Sequence, residues 1–400
     1  MEIKGKFATA ICYAKEIEDG AAEQIRTMCD QKFTEGCRVR IMPDVHAGKG
    51  CTIGTTMTIR GKAVPNVVGV DIGCGMYTTK LGNKRADFAR VDEICHWIPS
   101  GMNVWESRRE PFDLEQLRCF SKLKQKTWLK NSLGTLGGGN HFIEIDQSED
   151  GTYWLVIHSG SRNLGKQVCE YYQQLAVDIA EGKEAYMESS PELIEQLKAE
   201  GRQQEIQKEL DALRLRLNHK TAPDSLCHLE GQHLEDYLHD VKICQEFAVR
   251  NREIMAGLIL KKTGMIGLES FHTVHNYIDT DEMILRKGAI AAHAGERVLI
   301  PINMRDGSII AIGRGNEEWN YSAPHGAGRI MSRKTARDTL SLDDYRAAMK
   351  GIYTTTATQE TIDEAPMAYK RMEDIIDAVR EAVDIVEIIR PVYNFKAAEK

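Results

Sequence analysis

Four hundred residues with 42% hydrophobic content can bury a large core, as one large domain with an insertion or as two domains. The formal net charge of −7 excludes a protein that coats nucleic acid by bulk electrostatics, although metal ions and a few arginines can still supply a local positive field. No apolar run approaches a membrane span, and residues 1–10 lack the charged start and apolar middle of a signal peptide, so a cytoplasmic protein is expected. The ten cysteines include no Cys-x-x-Cys pair and are expected to be mostly buried thiols.

In chain order, residues 7–14 are apolar enough for a strand, and Asp19 is placed to cap a helix with Ala22, Ile25 and Met28 on one face. A strand over 39–42 ends in the polar loop Pro43-Asp44-Val45-His46-Ala47-Gly48. Residues 52–60 and 67–81 form a β-rich block that contains Asp71-Ile72-Gly73-Cys74-Gly75. A helical stretch over 112–129 follows. The three glycines 137–139 then run into Asn140-His141-Phe142-Ile143-Glu144, where a ligand can approach the main chain. A strand over 153–157 terminates in His158-Ser159-Gly160-Ser161-Arg162.

Residues 165–260 change in character to long charged stretches with leucines at helical spacing, a helical insertion that braces the core. An RNA-facing platform is the other reading of it. His219, His228, His233 and His239 fall there without ligand spacing and are taken as surface or capping residues. The core resumes at 265–269, followed by His272, His275 and Asn276, with further strand and turn over 286–289 and 298–312. Ser341 and Asp344 form a capping box opening a helix to about residue 350, and 366–390 reads as a final amphipathic helix. The fold class expected is α+β, a single domain over 1–400 with a mixed β-sheet core flanked by helices and the insertion at 165–260. No heptad seam argues against a monomer.

Two constellations point to chemistry. Residues 322–333 read Ser-Ala-Pro-His-Gly-Ala-Gly-Arg-Ile-Met-Ser-Arg. If a helix begins there, His325 sits at its mouth with Arg329 and Arg333 on one side, a setting for phosphate. A glycine turn into a surface helix fits the same residues. Asp71, Cys74, His141, His158 and His275 come from separate strand ends and glycine turns. One carboxylate, one thiolate and three imidazoles suit manganese, zinc or iron, and a bridging Cys74 would allow two ions. Singly, each histidine could equally be a satisfied core residue.

The ordered motifs GVDIGCGM, GGGNHFIE, HSGSR, His275-Asn276 and HGAGR followed by MSR resemble the RtcB family of RNA-splicing ligases over essentially the whole chain. The resemblance implies a GTP- and manganese-dependent ligase in RNA repair or tRNA splicing. It would join RNA 3′-phosphate or 2′,3′-cyclic phosphate ends to 5′-hydroxyl ends, with His325 as the nucleophile that carries GMP. It implies two Mn2+ ions on Asp71, Cys74, His141, His158 and His275, with Cys74 the bridge.

For GTP it implies Asn140, His141, Phe142, Ile143, Glu144, His275, Asn276, Pro301, Ile302, Asn303, Met304, Ser308, Gly326, Ala327, Gly328, Tyr369 and Lys396. Glu144 would accept from the guanine N1–H and amino edge, Lys396 would donate to O6, and Tyr369 would pack on the base. Arg162, Arg329 and Arg333 are the candidates for RNA phosphates, and Asp44 and His46 would act from behind the metal ligands. An archease-like activator is a possible partner. Pro301-Ile302-Asn303-Met304-Arg305 stands where the family usually has Pro-Gly-Ser-Met-Gly, which implies a divergent, bacterial-type branch. Two rival readings are a two-metal RNA end phosphoesterase without sealing and a non-catalytic RNA-binding scaffold.

Overall fold

Two sheets organise the chain in the computed structural model, which describes residues 1–84 and 86–397. The six-stranded sheet runs in the spatial order Glu2–Lys4, Thr9–Cys12, Val39–His46, Ile53–Thr58, Ile284–Lys287, Asn276–Asp279. The seven-stranded sheet runs Glu269–Val274, Gly75–Gly82, Tyr153–Ser159, Phe142–Gln147, Val383–Lys396, Gly307–Gly313, Arg297–Asn303. Thr9–Cys12 and Val39–His46 pair in parallel, while the seven-stranded sheet is antiparallel throughout. With the flanking helices this is an α+β architecture, as expected.

Every residue of Tyr153–Ser159 is buried, because this aromatic and β-branched strand has both faces covered. One covering element is the helix Gly231–Thr263, 33 residues and therefore about 50 Å long. Its Leu234, Tyr237 and Val241 pack with Val168 and Tyr172 of the helix Arg162–Ala180 in one core. Its Met255, Ala256 and Ile259 pack with Ile143, Leu155 and Ile157 in another. No helix among the described residues is long and apolar enough to cross a membrane.

Several expected elements differ. Residues 112–129 are mostly irregular, with a single 3-10 turn at Phe120–Lys122 and an α-helix only from Lys126 to Asn131, since the buried Asp240 carboxylate accepts from the backbone N–H groups of Arg118 and Cys119 and holds them out of a helix. Residues 366–390 are not one helix. A short helix Met372–Ala378 gives way to the 14-residue strand Val383–Lys396, whose Val383, Ile385, Val386, Ile388 and Ile389 favour extended backbone. Pro391 is tolerated there because the pairing register shifts between Pro391 and Tyr393. Asp19 begins its helix without capping it, Glu18 being the cap residue.

Ser341 does cap the helix Leu342–Ala348, accepting from the Asp344 N–H. Within 165–260, the helices Arg162–Ala180 and Gly231–Thr263 belong to the core. Lys183–Ala199 and Ile206–Leu217 form a peripheral hairpin that buries only Leu197 and Leu213.

Candidate active site

Strand register assembles the site. In the seven-stranded sheet Gly75 faces Ser159, Met76 faces His158, Phe142 faces His158 from the other side, and Val274 faces Gly75. Strands 75–82 and 142–147 therefore begin where 153–159 and 269–274 end. At that end of the sheet Cys74, His141, His158 and His275 converge. Cys74 Sγ lies 3.3 Å from His158 Nε2 and 3.5 Å from His141 Nε2. His158 Nε2 lies 3.4 Å from His275 Nε2, and His141 Nε2 lies 3.1 Å from Asp71 Oδ2.

Hydrogen bonds fix which ring nitrogens face inward. His141 Nδ1–H donates to Leu136 O at 2.8 Å and His158 Nδ1–H to Asn140 O at 3.0 Å, which leaves both Nε2 atoms as acceptors. Burial, reinforced by the neighbouring cationic groups, pushes His158 and His275 well below the ordinary imidazole range, so both rings are neutral at pH 7. Burial and the Asp71 carboxylate push the Cys74 thiol well up, so the sulfur keeps its proton among the imidazole nitrogens until a bound cation displaces it and takes these lone pairs together. Cys74, His141 and His158 are all buried, and their donor atoms lie within 4.8 Å of one another. The donor set fits a transition metal.

A dipeptide in the long helix pins this cluster, and the sequence reading missed it. Asn251 Oδ1 accepts from the Gly134 and Thr135 N–H groups, while its amide nitrogen reaches Thr135 O, Ser159 Oγ and Gly160 O. Arg252 Nη1 donates to Gly73 O and Ser159 O. Three ligand-bearing loops are thereby tied to one rigid element. The available signal was two polar residues on the stripe Phe247, Ala248, Asn251, Arg252, Met255 and Ile259, whose spacing marks the buried face of the helix.

His325 stands beside the cluster, its ring centroid 4.9 Å from that of His275. No helix begins at His325; of the two readings of this stretch, the glycine turn leading into a later helix is the one observed. The strand Ser322–Pro324 delivers it, Gly328 takes a φ of +73° with its α-carbon against the Asp44 backbone, and a helix starts only at Arg333. His325 Nδ1–H donates to the fully buried Asp44 Oδ2 at 2.7 Å, so Nε2 keeps its lone pair. His46 Nδ1–H in turn donates to Asp44 O.

A cavity opens from His325, lined by Asn140, Phe142, Glu144, Pro301, Ile302, Asn303, Met304, Ser308, Gly326, Ala327, Gly328, Tyr369 and Lys396. These expected nucleotide residues are gathered from five segments. The buried Ser308 hydroxyl has no hydrogen-bond partner among the described residues and stands open to a ligand. Five residues expected on the nucleotide or RNA do not line the cavity, and two of them, His141 and His275, stay in the cluster around Cys74. Ile143 points into the core, Asn276 Oδ1 accepts from the Gly288 N–H, and Arg162 binds Thr135 Oγ1 and Gly101 O. Ile302 and Met304 are buried in the wall, the latter accepting a hydrogen bond from the Tyr345 hydroxyl, and Arg305 pairs with Asp306 instead of reaching the cavity.

Glu364 and Asp363 also went unnoticed in the sequence, where their signal was an acidic pair just before Ala365-Pro366. Glu364 accepts from Lys396 Nζ at 2.8 Å and the Tyr369 hydroxyl at 2.7 Å, and it pairs with Arg329 and Arg333. Asp363 pairs with Arg333 and Arg337. Burial alone would raise the Glu364 carboxyl, but Lys396 and Arg333 overcome it and hold it down at about 2. Glu144, buried with Asn394 as its hydrogen-bond donor, is pushed up to about 7. Arg329, Arg333 and Lys396 thus line this wall of the cavity beside Glu364.

The family model for tRNA-splicing ligase RtcB matches residues 24–120 and 106–397. The chain belongs to the RtcB family. It is 31% identical over 399 residues to RNA-splicing ligase RtcB1 of an Escherichia coli strain, and 30% identical over 401 residues to RNA-splicing ligase RtcB of Escherichia coli K12. Each alignment covers 90% of this chain and 90% of the relative. It is also 27% identical over 443 residues to tRNA-splicing ligase RtcB of Aeropyrum pernix, covering 87% and 85% of the two chains. The RtcB resemblance read from ordered motifs thus extends across both sheets and the long helix.

Proposed function

We propose that this chain is an RNA ligase that uses GTP to join RNA 3′-phosphate or 2′,3′-cyclic phosphate ends to 5′-hydroxyl ends, in RNA repair or tRNA splicing. The observation that carries the reading is the Asp44–His325 pair, which fixes the imidazole tautomer beside a cavity lined by Arg329, Arg333 and Lys396. His325 Nε2 attacks the α-phosphorus of GTP, an N–P bond forms, the bond to the bridging oxygen breaks, and pyrophosphate leaves. The Asp44 carboxylate stabilises the positive charge that develops on the ring. An RNA 3′-phosphate oxygen then displaces His325 from that phosphorus and takes GMP. Finally the 5′-hydroxyl oxygen attacks the RNA phosphorus, and GMP departs as the strand is sealed.

Asp71, Cys74, His141, His158 and His275 would hold two manganese ions. When bound, they supply positive charge that polarises phosphoryl oxygens. Glu144, once ionised, accepts from the guanine edge, Lys396 and the Ser308 hydroxyl remain as donors, and Tyr369 packs on the base. Arg329 and Arg333, which line the cavity, hold phosphate.

Incubation with manganese and α-labelled GTP tests the reading. Acid-labile, alkali-stable label on the polypeptide is expected, and His325→Ala should abolish it. Absence of label with retained opening of cyclic phosphates would make the protein a phosphoesterase instead, and RNA binding with neither activity would make it a scaffold.

A further inference from the structure

Outside the cavity, one surface combines exposed aromatic area with unpaired positive charge. Trp97, at the end of the helix Phe88–Trp97, is 41% exposed. Lys262 Nζ lies 4.1 Å from its ring centroid, and the Arg109 guanidinium bridges it to Trp105, 5.2 Å from one ring and 3.7 Å from the other. Trp105 itself is buried, its indole N–H donating to Gly134 O, so it forms the fixed floor under Arg109. Arg109 and Lys262 are both exposed, and neither joins an ion pair among the described residues.

This surface is tied to the metal-ligand cluster by hydrogen bonds. Pro99 O accepts from the Leu136 N–H at 2.9 Å, and Leu136 O holds His141 Nδ1. Gly101 N–H donates to Gly137 O, and Gly101 O accepts from Arg162. Pro99 is two residues from Trp97, so at most about 7 Å of chain separates the exposed indole from the segment that braces a metal ligand.

We infer that Trp97, Arg109 and Lys262 form a platform for the single-stranded RNA that leads to the reacting end, one base stacking on Trp97 while the two cations meet its phosphates. An exposed indole accepts any base, and unpaired cations supply what a chain of net charge −7 lacks overall. Two cations set against an exposed indole match a strand that presents alternating bases and phosphates. The inference rests on the ligase reading for the identity of the strand.

The test uses the full-length protein and end-labelled oligoribonucleotides carrying a 3′-phosphate, with either a long single-stranded tail or a dinucleotide tail. Trp97→Ala should weaken binding of the long-tailed RNA about tenfold and leave the short-tailed RNA unchanged, and Trp97→Phe should restore most of the affinity. The double variant Arg109→Ala, Lys262→Ala should lower the slope of log affinity against log salt by about 1.4. Labelling by GTP should be unaltered in all three. Equal affinity of Trp97→Ala and the parent for long-tailed RNA would overturn the inference and leave the surface to a protein partner. If the parent takes no label from GTP yet its binding still depends on tail and Trp97, the ligase reading falls and the platform stands.

Discussion

The metal-ligand cluster and the far wall of the cavity lie on either side of the same ligand space, yet they are held by opposite means. The cluster is built from imidazole rings oriented by backbone carbonyls, with Asn251 and Arg252 fastening the loops behind it. The wall is built from full charges, Asp363 and Glu364 against Arg329, Arg333, Arg337 and Lys396. A hydrogen-bonded frame keeps donor atoms at fixed distances whatever the pH. An ion-paired wall is adjustable, since any anion entering the cavity competes with its carboxylates for the same guanidiniums.

The largest effect should come from breaking the frame. Asn251→Ala leaves the Gly134 and Thr135 N–H groups and the facing oxygens without partners in a buried place, and about 3–5 kcal/mol of stability should be lost in urea denaturation. Bound manganese, measured by atomic absorption after gel filtration, should fall with it. A variant that keeps its full metal content would show that the loops hold their geometry unaided.

A somewhat smaller change is expected at the wall, and it should depend on pH. Glu364 is held at about 2 against an ordinary 4.5, so its folded-state value is depressed. Its contribution of about 3 kcal/mol is present above pH 4.5 and is lost as pH falls from there toward 2. Glu364→Gln should therefore be less stable than the parent by about that amount at pH 7, with the gap narrowing below pH 4.5. A gap that stays constant on acidification would remove the ion pairs as its cause.

The smallest effect should follow excision of residues 183–217, the peripheral hairpin. Gly182 abuts Leu217, so a short link can replace the hairpin without moving the flanking helices. Labelling by GTP should be unaltered, and the melting temperature should shift by no more than about 2 °C. A large loss would mean that the hairpin shares the core's stability.

Much of the site was legible because its chemistry sits at strand ends beside glycines, where sequence motifs are compact and register brings them together. Asp71, Cys74, His141, His158, His275 and His325 are all of this kind. Glu364 and Asn251 act through partners far away in the chain, and neither carries a local signal stronger than polarity in an unexpected place. At His325 the sequence left a helix start and a glycine turn open, and the turn is found because Gly326 and Gly328 serve the close approach to Pro301 and Asp44. The stretch 366–390 misled because apolar residues three and four apart in Met372–Ala378 merge without a break into the β-branched run of Val383–Lys396.

The helix Gly231–Thr263 has one more consequence. It packs in two cores and also fastens three ligand-bearing loops, so those loops cannot open while the helix stays in place. Amide hydrogens of Gly134 and Thr135 should then exchange with solvent only when the whole domain unfolds. The metal centre has no melting point of its own.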